Sequence, residues 1–143
     1  MALPIRNLKI VCGALLGGAV LLGLVLCSIV DFAKLSTEPK MLVLMASTIG
    51  VAMFMMSVVL FKMLAGQTRA KTDSLKSHFN VLHSAWIVRF AIVGAACFLN
   101  LMVTILHQSL ITLFVAVLGI LFMLLAFPRT QVVEKLLQER MKS

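Results

Sequence analysis

The fold is decided by residues 85–127, which read AWIVRFAIVGAACFLNLMVTILHQSLITLFVAVLGILFMLLAF. Two apolar runs, 85–106 and 109–127, are separated here only by the polar turn at His107 and Gln108. Each run is close to the ~20 residues that an α-helix needs to cross about 30 Å of hydrocarbon. The stretch therefore predicts two membrane-spanning helices that form a tight hairpin.

Two further apolar runs, 10–30 and 41–61, predict a second hairpin before this one. No segment alternates with the period of two that a barrel strand requires. We predict an all-α, polytopic membrane protein with four transmembrane helices as two hairpins, in a single membrane domain over 1–143. The first run exceeds the apolar core of a signal peptide and no A-x-A site follows it, so we expect a retained span.

Composition also indicates a membrane protein. The chain is 62% hydrophobic and 13% charged, with a mean hydropathy of +1.10, whereas soluble domains are about half apolar and a quarter charged. Its net charge of +8 lies beside predicted membrane ends, without interleaved aromatic residues. The pattern favours anionic lipid headgroups over nucleic acid as partners. Cys12, Cys27 and Cys97 lie inside the runs, where we expect small packing residues.

The basic residues predict the orientation. One side of the bundle holds Lys34 and Lys40, which Asp31 and Glu38 offset. The other side carries Arg6, Lys9, Lys62, Arg69, Lys71, Lys76, Arg89, Arg129, Lys135, Arg140 and Lys142. The positive-inside rule then places the N- and C-termini and the link 66–83 in the cytoplasm. The predicted location is the bacterial inner membrane.

The tail 130–142 predicts a short amphipathic helix after Pro128, which ends the fourth span. Val132, Val133, Leu136, Leu137 and Met141 share one face of it. We expect this face to lie on the cytoplasmic membrane surface or against a partner subunit. Thr130 is placed to cap the helix.

Small residues at four-residue spacing predict close helix contacts, because they let two backbones approach in lipid. In the first helix they occupy two nearly opposite sides, and the fourth helix has a narrower stripe. The predicted packing residues are Gly13, Gly17, Gly18, Gly23, Ala116 and Gly119. Their neighbours lie either within the four-helix bundle or in a larger complex.

The third helix carries a polar stripe, because Arg89, Asn100, Thr104 and His107 fall within about an 80° arc. Polar groups in a membrane normally face a bundle interior, a water path or a partner. The stripe is therefore either interhelical contact or part of a proton or ion pathway. The absence of an intramembrane carboxylate favours contact.

Individual partners follow from depth along the helix. Asn100 lies near mid-span and needs a hydrogen-bond partner, for which Ser47, Thr48 and Ser57 of the second helix are candidates. His107 is level with Asp31, so these two form a possible pair. Arg89 lies near the cytoplasmic boundary and is able to snorkel to phosphates.

Catalytic motifs do not occur in the sequence. It contains no paired carboxylates in a run, no HExxH, no GxSxG and no P-loop. We therefore predict no catalytic residues, no bound metal and no cofactor.

The stretch WIVRFAIVGAACFLNLMV at 86–103, followed by a turn, a span and FPRTQVVEKLL at 127–137, resembles small four-helix inner-membrane proteins of Bacteroidota. Arg89, Gly94, Ala95, Ala96 and Phe98 match their pattern. Val93 stands where these proteins often have Glu, which weakens an ionic role. The resemblance implies a lineage and no activity.

We interpret the sequence as a non-catalytic accessory or assembly subunit of a larger inner-membrane complex. Its partners would be other membrane subunits or copies of itself, together with anionic lipids. The alternative is a small transporter or channel subunit that forms a pathway on oligomerisation. Rotor subunits and small multidrug transporters also have hairpin helices, but they rely on a membrane carboxylate that this chain lacks.

Overall fold

The computed structural model describes residues 2–66 and 75–142. Within them the chain forms α1 Ala2–Ile29, α2 Met41–Gly66, α3 Leu75–His107, α4 Leu110–Leu125 and α5 Thr130–Lys142, and a 3-10 turn at Phe32–Lys34. The all-α prediction is confirmed. Part of the predicted link, 67–74, lies outside the described residues, and the rest of it from Leu75 onward is the start of α3.

Three of the described helices are long and apolar enough to cross a membrane, namely α1, α2 and α3. The fourth predicted span, 109–127, is shorter than expected, because α4 has 16 residues and a helix of that length rises only about 24 Å. Pro128 then breaks the helix, since proline cannot continue it. Together α4 and α5 pass the same test as one span bent by 64°.

The centre of the bundle is α3, which packs against each of the other four helices. In its most apolar stretch 44% of the residues are buried, compared with 22% in α2 and 11% in α1. The two helices of the expected first hairpin are not neighbours, because α1 packs on α3 and α4 and barely touches α2. The connection between them is long enough to keep them apart.

One end of the bundle, here called the loop end, is formed by Ser36, Gln108 and Ser109. The Ser36 N–H donates to the Gln108 carbonyl at 2.8 Å, and the Leu110 N–H donates to the Ser36 carbonyl at 3.1 Å. Gln108 has φ +46°, a left-handed conformation that lets the chain reverse between α3 and α4. These two bonds fix the connection between α1 and α2 onto the α3–α4 turn.

The opposite end, here called the basic end, brings together Lys9, Trp86, Ala126 and Thr130. The Trp86 indole N–H donates to the Ala126 carbonyl at 3.2 Å. Lys9 Nζ donates to the Thr130 hydroxyl at 2.6 Å. The sequence predicted that Thr130 caps α5. In the structure Thr130 is the first residue of α5, and its hydroxyl accepts the hydrogen bond from Lys9 of α1.

The apolar face of α5 lies on its own bundle. Val133 is fully buried and Leu137 is 4% exposed, and both belong to a core cluster with Leu8, Leu82 and Trp86. Burial of each side chain away from water is worth about 1.5–3 kcal/mol. For Val133 and Leu137 the expectation of a membrane surface or partner subunit is therefore corrected, since residues of α1 and α3 pack on them, whereas the side chain of Met141 lies outside the described part of this face. Val132 remains 46% exposed.

Candidate functional site

The polar stripe of α3 lies in the seam between α2 and α4. Asn100 and Thr104 are buried, whereas Arg89 and His107 are half-buried nearer the two ends. Arg89, Asn100 and Thr104 each contact a residue of α2 or α4. The stripe therefore faces the bundle interior along most of its length.

Asn100 packs against the backbone of α2 at Gly50. A side chain at Gly50 would overlap with the Asn100 amide nitrogen, so only glycine leaves room for this amide. The Asn100 Nδ2 donates to the Ala96 carbonyl of its own helix at 2.9 Å. Its Oδ1 is buried and has no hydrogen-bond partner.

The three hydroxyls expected to pair with Asn100 bond to their own helix instead. Ser47 donates to Val43 O at 2.8 Å, Thr48 to Leu44 O at 2.8 Å and Ser57 to Phe54 O at 2.7 Å. A carbonyl three or four residues earlier is always within reach of a helical Ser or Thr, so this bond competes with bonds across helices. Contact between α2 and Asn100 is therefore steric.

Thr104 links α3 to α4. Its hydroxyl lies 2.8 Å from the Thr112 hydroxyl and also donates to the Asn100 carbonyl at 2.8 Å. Because Thr104 uses its one hydrogen on the Asn100 carbonyl, the Thr112 hydroxyl donates to Thr104 Oγ1, and the Ser109 carbonyl at 3.2 Å is an alternative acceptor for the same hydrogen. These buried hydroxyls link α3 to α4 close to the loop end through Thr112, which is absent from the sequence-based site.

Arg89 enters the seam between two aromatic rings. Its guanidinium carbon lies 4.7 Å from the centre of the Phe122 ring and 5.1 Å from that of Phe61. Ring faces attract cations, and the attraction is stronger where water is excluded. The side chain thus contacts α4 and α2 as well as lying near the basic end.

Between Arg89 and Asn100 the seam holds mostly apolar side chains. Val93, Ala96 and Cys97 are fully buried there, and the Phe54 and Phe122 rings stack with centres 6.3 Å apart. Eleven helical residues correspond to about 16 Å of rise. Ser57 of α2, which lies between Gly50 and Phe61, is also fully buried, but its hydroxyl donates to Phe54 O of its own helix. Within one chain the stripe does not form a continuous polar path.

His107 and Asp31 do not form the expected pair. The Asp31 carboxylate lies 3.2 Å from Lys34 Nζ and accepts a hydrogen bond from the Ala33 N–H at 3.2 Å. Both partners are two or three residues away in the chain, so they are easier to reach than α3. His107 has no ion pair in the described part of the chain.

The predicted packing residues divide into two groups. Gly23 is buried, and a Cβ at this position would lie 3.7 Å from Ile120 Cδ1, whereas Gly119 is buried against Cys97 and the Phe54 ring. Ala116 is also fully buried, and its carbonyl accepts a weak hydrogen bond from Cys97 Sγ at 3.6 Å. These residues make contacts within the bundle.

The second group has open space around it. A side chain at Gly13, Gly17 or Gly18 would meet nothing within 4 Å. Exposed Ala14 and Leu21 lie on the same side of α1. We call these five residues the open face of α1.

A second open patch lies on α3 and was missed in the sequence. A side chain at Gly94 would meet nothing within 4 Å, and Ala91 and Ala95 beside it are exposed. Ala91-x-x-x-Ala95 has the small-residue spacing already noted in α1. The signal was present, but the polar stripe dominated the interpretation of this helix.

In the described ranges, no group of three His, Cys, Asp or Glu side chains is arranged to hold a metal ion.

Comparison of the chain with profiles of protein families, with curated proteins and with solved structures found no match.

Proposed function

We propose that the chain is a non-catalytic accessory or assembly subunit of a larger membrane complex, and that it associates through the open face of α1. The observation that carries the proposal is the empty space beside Gly13, Gly17 and Gly18. A glycine inside a helix costs about 0.5–1 kcal/mol relative to alanine. No contact in the described part of the chain offsets that cost at these three glycines.

A partner helix would offset it. Helices in lipid gain little from the hydrophobic effect, so close backbone packing at small residues stabilises their association. Gly50 and Gly119 show this use inside the bundle, since each accommodates a neighbouring side chain. The open face of α1 offers the same geometry without an internal neighbour.

The pathway alternative receives less support. Of its named residues, Arg89 and Asn100 are separated by the buried side chains of Val93, Ala96 and Cys97 within one chain. A pathway formed between copies would need these groups at an exposed surface, whereas Asn100 is fully buried.

The test is the mass of the protein after purification in a mild detergent from its native membrane. We expect a particle heavier than one chain, and Gly18→Leu should reduce it to one chain by blocking close approach. Ala52→Leu adds the same bulk at an exposed site on α2 and should leave the mass unchanged. A wild-type monomer, or equal effects of both variants, would contradict the proposal.

Orientation is part of the proposal. The basic end, with Lys9 and the exposed Lys62 and Arg129, would face the cytoplasm of a bacterium by the positive-inside rule. A reporter enzyme fused after Ser143 is expected to be active only if it functions in the cytoplasm. Activity of a reporter that functions only in the periplasm, fused at that position, would contradict the proposed orientation.

A further inference from the structure

Arg89 has a charge that the described part of the chain does not neutralise. It makes no hydrogen bond or ion pair there, and its Nε is buried without a partner. A guanidinium carries five N–H donors, and a half-buried cation in an apolar surrounding is costly unless it is paired. The two ring contacts offset part of this cost but accept none of the N–H groups in the guanidinium plane.

Arg89 lies close to the end of the apolar span of α4. The Trp86 bond to the Ala126 carbonyl marks the end of α4. Arg89 lies three residues further along α3, or about 4.5 Å. Its other neighbour Phe122 is one turn from the end of α4, beyond which Pro128 and the 64° bend end the apolar span.

The surrounding charge is positive. Lys9, Lys62 and Arg129 lie near the same end, whereas Asp31 and Glu38 belong to the connection at the loop end. Glu134 is exposed on α5, and in the sequence Asp73 stands between α2 and α3 and Glu139 in the α5 segment, against eleven basic residues in the segments of this end. The sequence places no acidic residue within the long apolar stretches around Arg89. The basic end therefore attracts an anion from outside the chain.

We propose that Arg89 binds the phosphate of an anionic phospholipid in the leaflet that meets the basic end. The Phe61 and Phe122 rings contact the guanidinium, and its N–H groups, which these rings do not accept in the guanidinium plane, would form two parallel N–H···O bonds to phosphate oxygens. The acyl chains of the lipid would lie along the exposed apolar side chains of α2 and α4, such as Val59 and Leu121. The site does not depend on association through α1.

Trp86 gives a direct readout, because it is the single tryptophan of the chain and lies one helical turn from Arg89. The purified protein is placed in phosphatidylcholine vesicles that contain a minor fraction of phosphatidylglycerol brominated near its headgroup. A parallel series contains phosphatidylcholine brominated at the same positions. Bromine quenches indole fluorescence at close range, so the two quenching curves compare the two lipids at this site.

We expect wild-type protein to prefer phosphatidylglycerol over phosphatidylcholine about five- to tenfold. This is the size of preference that one cation paired with a phosphate near the membrane surface provides. Arg89→Gln should lower the preference to within about twofold of unity, and Arg89→Lys should give an intermediate value because lysine lacks the planar fork. Lys62→Gln removes an exposed charge near the same end and should change the preference by less than about twofold.

Three results would overturn the assignment. A preference that persists in Arg89→Gln would show that general surface charge attracts the lipid. If Arg89→Gln does not fold, an unchanged preference in Arg89→Lys would contradict the two parallel bonds that define the site, since lysine cannot form them. Loss of the wild-type preference on addition of inorganic phosphate at constant ionic strength would assign the site to a free phosphate. No preference in wild type would point to a carboxylate of a partner protein.

Discussion

Asn100→Asp is expected to lower the free energy of unfolding by about 3 kcal/mol, the order of the cost of a charged side chain at the middle of a membrane helix. The substitution preserves the shape of the side chain and adds a negative charge. Asn100 is fully buried, packs on Gly50 and has no described cation within reach. The measurement is SDS titration of the isolated chain in mixed micelles, followed by circular dichroism.

Asn100→Ala serves as the control for loss of the amide. Its cost should be smaller, about 1 kcal/mol, because the amide makes a single bond within its own helix and one unsatisfied oxygen is removed. If Asn100→Asp were as stable as wild type, water would reach the seam. That result would favour the pathway alternative over a dry packing interface.

Gly119→Ala is expected to lower the free energy of unfolding by about 2 kcal/mol, as overpacking in a tightly filled core does. The added Cβ would overlap with Cys97 Sγ and lie 2.7 Å from Phe54 Cζ. The Phe54 ring is stacked on Phe122 and Cys97 is fully buried, so neither neighbour moves freely. The same titration measures the effect.

Gly18→Ala is the matched control, since the same methyl group would enter open space. In the isolated chain it should not lower the free energy of unfolding and should raise it by about 0.5–1 kcal/mol, because alanine is the better helix former. Equal losses for the two alanine variants would contradict the division into packed and open glycines.

The helices themselves were largely predictable from the sequence. The run 41–61 corresponds to α2 Met41–Gly66, and the tail 130–142 to α5 Thr130–Lys142. Both are set by local features, the length of an apolar run and the break at Pro128. The link was misjudged because Leu75, Phe79 and Leu82 at helical spacing extend α3 beyond its membrane part.

Neighbours were much less predictable than helices. Periodicity shows that two faces of α1 carry small residues, but only the packing shows that Gly23 faces Ile120 and Gly18 faces open space. The hydrogen-bond and ion-pair partners predicted for Asn100 and Asp31 were wrong for a related reason. Groups nearby in the sequence compete with groups on other helices for the same bonds. Which residues of two helices come into contact depends on how all the helices pack together. The residue pattern of one helix does not contain that information.

Arg89 illustrates the same limit. Its position in the sequence indicated a side chain that extends towards phosphates, and the structure adds one ring of α2 and one of α4 in contact with the guanidinium. The aromatic neighbours come from helices that are distant in sequence. The sequence alone predicted only that a basic residue lies near the membrane boundary. The contacts with Phe61 and Phe122 define where its guanidinium lies between α2 and α4.

Photo-crosslinking in the native membrane tests the association through α1 most directly. A photoreactive leucine analogue at Leu21 lies on the open face of α1 and is 65% exposed, and one at Met55 of α2 is 67% exposed and serves as the matched control. We predict a protein adduct of discrete mass from position 21, absent from position 55 and abolished by Gly18→Leu. Lipid adducts alone at both positions, or an adduct that survives Gly18→Leu, would contradict an assembly role for this face.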